Sequence, residues 1–354
     1  MAIGFLGYVL PFGQMSLFYL DIFNLTSLNL LTQHAPRTFI FCHFLKFYFK
    51  SLPILFNFYT PTAPAYATSL KSEDISKTNV FIDPAKAGIC EPNRAFMSMF
   101  LGFIDGDGYI DVGEQTQQNK KTKLKTRSTI RLAMGIGLDA RDLYVLEYFV
   151  RVLGVGSISA VPKTNKYRLY FSGKSLSSTI IPLIDKFELQ FLVYNRSTQY
   201  SLLKHVINNK LKYWDQVDKS KVTPIYRSSN YLEIFNLPQF YNWFMGFTMA
   251  EGWFGFKSDK SANFSIRQSM YENLPIMEAI KYAIKEEKGT SINVDSSNSY
   301  QVTFTSRLDI QKIINIFSFS NLHPLIGYKS EQYNLWIENI RKSSRYSDLK
   351  LPLP

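Results

Sequence analysis

Two acidic residues stand where an apolar helix should end. The segment FLGFIDGDGYI, Phe100 to Ile110, places Asp105 and Asp107 among glycines after a run of apolar residues. The C-terminus of a helix carries partial negative charge, so a carboxylate there costs about 0.3–1 kcal/mol. Carboxylate oxygens are also preferred ligands of hard divalent cations. The position of Asp107 therefore suggests metal chemistry rather than a contribution to helix stability.

A second segment repeats this arrangement 144 residues later. FMGFTMAEGWFGF, Phe244 to Phe256, has glycine at its third position, an acid at its eighth and glycine at its ninth. The matching pairs are Gly102 with Gly246, Asp107 with Glu251, and Gly108 with Gly252. Glycine has no Cβ, so Gly102 and Gly246 would let two helices approach closely. One such segment could be a solvated helix end before a glycine cap, but two matched copies favour a shared function.

The stretches that follow both segments predict the same order of elements. TIRLAMGIGLD and NFSIRQSM have the character of strands, and each is followed by apolar residues at helical spacing, Leu143 to Leu153 and Leu274 to Ile284. Two strand pairs come next, GSISAV with YRLYFS, and TSINVD with YQVTFTS across an SSNS turn. A short helix and a final helix end each half. The sequence thus predicts an α+β fold of two pseudo-symmetric αββαββα halves.

Composition changes divide the chain into four parts. Residues 1–93 are apolar and nearly neutral, with six Lys or Arg and five Asp or Glu, and they end in a linker-like stretch rich in Pro, Ser and Thr. The two apolar runs in this part are interrupted by proline or lysine, unlike a membrane-spanning helix. We expect a poorly structured apolar extension and linker at 1–91, a first half at 92–212, an inter-half linker at 213–238 and a second half at 239–354.

The charge and cysteine content narrow the class of protein. The 354 residues include 40 Lys or Arg and 28 Asp or Glu, a net charge of +12, which suggests nucleic acid or a membrane surface as a partner. Alternatively, the positive charge could belong to a solvated surface that binds no particular partner. Two cysteines exclude a disulfide framework and a four-cysteine zinc site, and four scattered histidines argue against a transition-metal centre.

The two acidic segments resemble the paired LAGLIDADG motifs of single-chain homing endonucleases, and the resemblance covers residues 94–350. In that family the two motif helices pack together and their eighth-position acids lie side by side. Carboxylates that close repel each other, and a divalent cation relieves the repulsion. The resemblance therefore implies Mg²⁺, or Mn²⁺, at Asp107 and Glu251, and it adds Gly106 and Ala250 to the metal site.

The resemblance also implies roles for residues outside the motifs. Arg196 and Lys329 match basic residues that polarise water or stabilise charge on the phosphate, although both could be ordinary surface residues. Gln268 matches a position that orients active-site water, and the corresponding residue of the first half is Leu138.

Asp105 departs from this symmetry. The second motif has Met249 at its position, so the sixth position cannot provide an essential ligand in both halves. We interpret Asp105 as a local hydrogen-bonding residue near the helix end.

DNA recognition would fall to the strands, because a two-stranded β-ribbon fits the major groove. Alternation along the strands would turn one face to the helices and the other, a β-saddle, to DNA. The candidates on that face are Arg131, Arg168, Arg267 and Gln301. A basic loop present only in the first half contains Lys120, Lys121, Lys123, Lys125 and Arg127, which would bind phosphates unless the loop is merely solvated.

The expected function is site-specific cleavage of double-stranded DNA by a monomer, with no small-molecule substrate. The alternative is an RNA maturase that assists splicing of its own group I intron, but RNA binding does not need the two acids. Met1 to Ser16, MAIGFLGYVLPFGQMS, resembles a stretch of mitochondrial cytochrome b. This predicts an intron reading frame fused to an upstream exon, a mitochondrial location, and a long target site at the intronless exon junction.

Overall fold

The computed structural model describes residues 92–116, 128–225, 228–285, 292–294 and 299–353. The extension at 1–91 lies outside the described residues, and so do Lys120, Lys121, Lys123, Lys125, Arg127 and all but the last residue of the SSNS turn. All the described residues belong to one compact unit. None of the helices in these ranges is long and apolar enough to cross a membrane.

The first half begins with a helix that leads directly into a strand. Asn93 caps this helix by accepting a hydrogen bond from the Phe96 N–H at 2.8 Å. The elements are α1 (Arg94–Asp107), β1 (Gly108–Gln115), β2 (Thr129–Asp139), α2 (Leu143–Leu153), β3 (Ser157–Val161), β4 (Lys166–Ser172), α3 (Ile181–Lys186) and α4 (Tyr194–Asn208). A short helix, α5 (Tyr231–Phe235), lies in the predicted inter-half linker.

The second half repeats this order. Its elements are α6 (Phe240–Glu251), β5 (Gly252–Phe256), β6 (Ala262–Ser269), α7 (Leu274–Ile284), β7 (Asn293–Val294), β8 (Ser299–Phe304), α8 (Arg307–Ser318) and α9 (Tyr328–Arg341). Each half contains a four-stranded antiparallel sheet, and the strand orders β1-β2-β4-β3 and β5-β6-β8-β7 are equivalent. The predicted pseudo-symmetric α+β fold is confirmed.

Strand pairing fixes which residues of the two halves correspond. Gly108, the first residue of β1, pairs with Ile136, and Gly252, the first residue of β5, pairs with Ile266. Two residues further along, Leu138 and Gln268 are therefore equivalent, as the spacing in the sequence predicts.

Helices α1 and α6 pack against each other at the centre of the molecule. A Cβ on Gly102 would collide with the Trp243 carbonyl oxygen, and a Cβ on Gly246 would collide with the Met99 carbonyl oxygen. Both helices are buried along most of their length. Glycine at these two positions is therefore required by direct contact between backbones, as the matched motifs predict.

Each sheet buries one face against the helices. In the first sheet Ile136 and Leu169 are fully buried, and in the second sheet Ile266 and Val302 are buried in the same way. Because side chains alternate along a strand, the residues between them point to the opposite face, which we call the outer face. The outer face is where the sequence places the candidate DNA-binding residues.

Candidate active site at the ends of the motif helices

The ends of α1 and α6 bring the two motif acids to one place. Asp107 is the last residue of α1, and Glu251 is the last residue of α6. A Cβ on Gly106 would collide with the Ala250 Cβ and would lie 3.2 Å from the Glu251 Cγ. The four residues that the sequence assigns to a metal site thus come together where the two helices end.

Partial desolvation changes the acid–base chemistry of both carboxyl groups, although Asp107 is exposed at the surface and Glu251 is half-buried. It raises the pKa of Asp107 to about 6, against the opposing effects of Lys329, Lys166 and Arg196. Together with the nearby Asp107 carboxylate, it raises the pKa of Glu251 to about 7. Among the described residues, no hydrogen-bond donor is directed at either carboxylate. The two acids are therefore held together at the surface with their oxygens free to accept a ligand.

This arrangement fits a divalent cation. The described part of the chain has no cluster of three or more His, Cys, Asp or Glu residues that could hold a metal by itself. Mg²⁺ suits such a site, because it is usually bound by one or two carboxylates and completes its coordination with water and substrate phosphates. The last carbonyl groups of a helix have no partner within it, so Gly106 and Ala250 could add backbone oxygens.

Arg196 and Lys329 lie in equivalent places beside the acids. The Arg196 Nε donates to the Ile104 carbonyl oxygen at 3.2 Å, and its Nη1 donates to Gln199 at 3.2 Å. The Lys329 Nζ donates to the Gly252 carbonyl oxygen, and to Gln332 at 3.2 Å. Burial lowers the pKa of both basic groups, whereas the nearby acids raise it. Both are half-buried cations held at the ends of the motif helices, unlike ordinary surface residues.

Asp105 is a hydrogen-bonding residue, as expected from the sequence, but its partners are distant in the chain rather than local. Its carboxylate accepts from the backbone N–H groups of Leu192 at 2.9 Å and Val193 at 3.3 Å, and from the Trp243 Nε1 at 2.7 Å. The side chain is buried, which raises its pKa to about 7 despite these donors. Asp105 thus joins α1 to α6 and to the segment that leads into α4.

The equivalent contact in the second half is weaker. Met249, the counterpart of Asp105, accepts a hydrogen bond on its sulfur from the Ile326 N–H at 3.2 Å. The sequences of the two halves show that Asp105 corresponds to Met249, but they do not reveal the hydrogen-bond donors of either residue.

Three further residues, which lie near the acids or contact the helices that carry the basic residues, were not selected from the sequence. Lys166, at the start of β4, directs its charge toward Asp107 and has Ser299 as its counterpart. Asp142 accepts from the Tyr328 N–H at 2.6 Å, and Asn273 accepts from the Tyr194 N–H at 2.9 Å. The signal that could have revealed Asp142 and Asn273 is their matching position directly before α2 and α7.

Gln268 lies at the end of β6 and is half-buried. Its side-chain oxygen accepts from the Ser269 N–H at 2.8 Å. The equivalent Leu138 is buried and carries no polar group, so the structure preserves the asymmetry between the halves. The water-orienting role of Gln268 stays a prediction.

The candidate DNA-binding residues lie on the outer faces of the sheets. Arg131 is exposed and forms an ion pair with Asp111 at 2.7 Å. Arg168 is exposed and lies opposite Gly137, whereas Arg267 lies opposite Gln301 in the equivalent place of the second sheet. The strand alternation predicted from the sequence is thus correct, and contact with DNA stays a prediction.

Comparisons with known proteins agree with this geometry. The model of a family described as LAGLIDADG endonuclease matches residues 100–207 and 244–340. The meganuclease I-SmaMI bound to uncleavable DNA is 22% identical, with a TM-score of 0.53 over 73% of this chain and 93% of that chain. I-SmaMI bound to uncleaved target DNA with calcium ions is 22% identical, with a TM-score of 0.52 over 73% of this chain and 94% of that chain.

The LAGLIDADG homing endonuclease I-LtrWI bound to target DNA is 20% identical, with a TM-score of 0.51 over 72% of this chain and 95% of that chain. Similarity at these identities shows a common fold. The family matches cover more than half of the chain, and one of them starts at each acidic motif. The chain therefore belongs to the LAGLIDADG endonuclease family.

Proposed function

We propose that this protein is a site-specific endonuclease that hydrolyses both strands of double-stranded DNA as a monomer with Mg²⁺ or Mn²⁺. One observation carries the proposal: two acids with raised pKa values meet at the touching ends of the motif helices, and a basic residue lies beside them from each half. A surface that only bound nucleic acid would gain nothing from two carboxylates facing the phosphates. The same argument favours cleavage over the maturase alternative.

The residues of the site divide the chemistry between them. Asp107 and Glu251, with the carbonyl groups of Gly106 and Ala250, would hold the divalent cation, which supplies activation of water and neutralisation of charge on the leaving oxygen. Arg196 and Lys329 stabilise negative charge on the phosphates and keep the acids ionised. Gln268 orients water in the second half only, so the two strands need not be cut at equal rates.

The outer faces of the sheets would contact the DNA. Arg131, Arg168, Arg267 and Gln301 share the side that faces away from the core, where a β-ribbon can enter the major groove. The loop residues Lys120, Lys121, Lys123, Lys125 and Arg127 would add phosphate contacts, each of which makes binding more sensitive to salt.

The target follows from the first residues of the chain. Because Met1 to Ser16 resembles cytochrome b, we place the target at the joined exons around the codon of Ser16 in an intronless mitochondrial gene. Insertion of the intron would split this site and protect the host copy from cleavage.

The test uses purified full-length protein with Mg²⁺ or Mn²⁺ and three plasmids. They carry the joined exons, the intron-containing gene, or a scrambled junction. We expect double-strand cleavage of the first plasmid only, at the junction. Cleavage of none of them, or of all three equally, would contradict the proposed target, and absence of cleavage across a randomised duplex library would contradict the endonuclease function itself.

A further inference from the structure

The two helices that carry the basic residues begin without caps of their own. Arg196 lies in the first turn of α4, and Lys329 lies in the first turn of α9. The residues before these helices are Val193 and Gly327, and neither provides a side-chain hydrogen bond to the helix. The first N–H groups of a helix have no partner within it and require one from elsewhere.

The missing acceptors come from the opposite half of the molecule. Tyr194, the first residue of α4, donates its N–H to the Asn273 Oδ1 of the second half at 2.9 Å. Tyr328, the first residue of α9, donates its N–H to the Asp142 Oδ1 of the first half at 2.6 Å. The contacts span 79 and 186 residues of sequence and join corresponding turns of the two halves, with the donor two residues before Arg196 in one half and one residue before Lys329 in the other.

Asp142 and Asn273 accept hydrogen bonds from a helix of the other half instead of capping the helix that follows them. Both directly precede a helix, α2 and α7, and both are residue types that normally cap the helix they precede. Neither forms a side-chain cap with its own helix. The Asn273 side chain is buried and also donates from its Nδ2 to the Ser269 carbonyl oxygen at 2.7 Å, which fixes the orientation of its amide.

The surroundings hold these contacts in place. Gly327 has a φ of +74°, and a Cβ at this position would lie 2.7 Å from the Asp142 Oδ1. The Arg141 guanidinium stacks on the Tyr328 ring at 3.7 Å from its centre. The start of α9 therefore fits the turn that carries Asp142 closely, and Lys329 follows one residue after the shared hydrogen bond.

We infer that Asp142 and Asn273 are positioning residues that act across the pseudo-dyad: Asp142 sets the position of Lys329, and Asn273 sets the position of Arg196. The inference rests on the proposed function, because the basic residues are taken to act on DNA phosphates. Each half thus completes the site of the other, and the two strand cleavages depend on different inter-half contacts.

The experiment measures the rate at which each strand is cut, on a duplex that the wild-type protein cleaves, with the two strands carrying different labels and the protein in saturating excess. The variants Asp142→Ala and Asn273→Ala are compared with Lys329→Ala and Arg196→Ala. We expect Asp142→Ala to slow the same strand as Lys329→Ala, and Asn273→Ala to slow the strand affected by Arg196→Ala. Each loss should be about tenfold or more, since small displacements of positioned groups have effects of this order.

Conservative variants and a control separate positioning from general loss of stability. Asp142→Asn keeps an oxygen that can accept the hydrogen bond, so it should restore most of the strand-specific rate, whereas Asn273→Asp would lose the donor to the Ser269 carbonyl oxygen and should not. Ser306→Ala removes the cap of α8, a hydrogen bond to the Asp309 N–H at 3.1 Å, far along the chain from the acids. This control should lower the melting temperature without a preference for either strand.

The outcomes are distinct. If the wild-type protein cuts but Asp142→Ala and Asn273→Ala slow both strands equally, as the Ser306→Ala control does, the inference is wrong. It is also wrong if Asp142→Ala slows the reaction further in a Lys329→Ala background, because a residue that acts only through Lys329 adds nothing once Lys329 is removed. If the wild-type protein cuts no DNA, the proposed function fails instead.

Discussion

At the positions of Asp107 and Glu251, the helix dipole and partial desolvation both oppose ionisation of the carboxyl group. Each ends a helix whose C-terminus is already negative, and burial raises the pKa of the two groups to about 6 and about 7. A residue kept only for stability would be poorly placed here. The unfavourable free energy of placing two carboxylates here is explained if both bind a cation in the complex with DNA.

Removing either acid should separate cleavage from binding. We expect Asp107→Asn or Glu251→Gln to abolish cleavage of at least one strand, because each change removes a metal ligand. DNA affinity should be largely retained, since the proposed DNA-binding residues lie on the sheets. Strand-resolved cleavage and a filter-binding titration would measure the two effects, and wild-type cleavage rates in both variants would refute the assignment.

The same residues predict how stability depends on pH. The folded pKa values of Asp107 and Glu251 exceed the ordinary values of 3.8 and 4.5. Between the ordinary and the folded pKa of each group, the folded protein without metal therefore binds more protons than the unfolded chain. The free energy of unfolding should therefore fall as pH rises from about 4 to about 7 and change little above that. Asp105 contributes in the same direction.

Thermal melts in the presence of a chelator would measure this dependence. The melting temperature of the wild-type protein should fall between pH 5 and pH 7.5, and that of Glu251→Gln should fall less. Added Mg²⁺ should raise the wild-type value most at the higher pH. A wild-type melting temperature that rises over this interval would contradict the raised pKa values of the acids.

At the scale of elements, the contact between α1 and α6 determines where the acids lie. Each of these helices places a glycine against a carbonyl group of the other, so the separation of the helices leaves no room for a side chain. Any displacement here moves Asp107 relative to Glu251. Packing in the middle of the helices and chemistry at their ends are therefore linked.

Replacing one interface glycine should disrupt both the packing of α1 against α6 and the positions of the two acids. Gly102→Ala would place a methyl group against the Trp243 backbone, which cannot move as a flexible side chain would, so we expect a loss of about 3 kcal/mol or more. Gly137→Ala provides the matched control, since a Cβ on Gly137 meets nothing within 4 Å. Urea unfolding would compare the two variants, and equal stability would show that the helices can separate without cost.

Much of this architecture could be predicted from the sequence, and the reason is repetition. The spacing of apolar residues identified α2 and α7, and the correspondence of Leu138 with Gln268 agrees with the strand register. The partners of Asp105 and the reciprocal contacts of Asp142 and Asn273 could not be predicted. Those hydrogen bonds join residues up to 186 positions apart, and a single sequence carries no signal for contacts between elements that distant.

For the whole molecule, the described residues supply a complete core. The buried apolar cluster extends from Phe96 to Tyr346 and includes both motif helices and the inner faces of both sheets. A core of that extent is sufficient for a domain of this size. The role of residues 1–91 can therefore be tested by removing them.

A protein that begins at residue 92 should fold and cleave DNA. We expect its melting temperature and its cleavage rate on the same duplex to match those of the full-length chain, because both motifs and all the predicted site residues are retained. Circular dichroism melts and a cleavage assay would measure this. A soluble, folded truncated protein that no longer binds DNA would show that the extension is part of the functional unit.

The outer faces of the two sheets share one backbone plan but carry different side chains. Equivalent positions hold Gly137 and Arg267, Arg168 and Gln301, and Lys166 and Ser299. A palindromic duplex would present identical bases to both faces, whereas symmetric sites suit symmetric proteins. The duplex that fits this protein best should therefore have two unlike halves. The protein would then sit on it in one direction only, and each cut would fall on a predetermined strand.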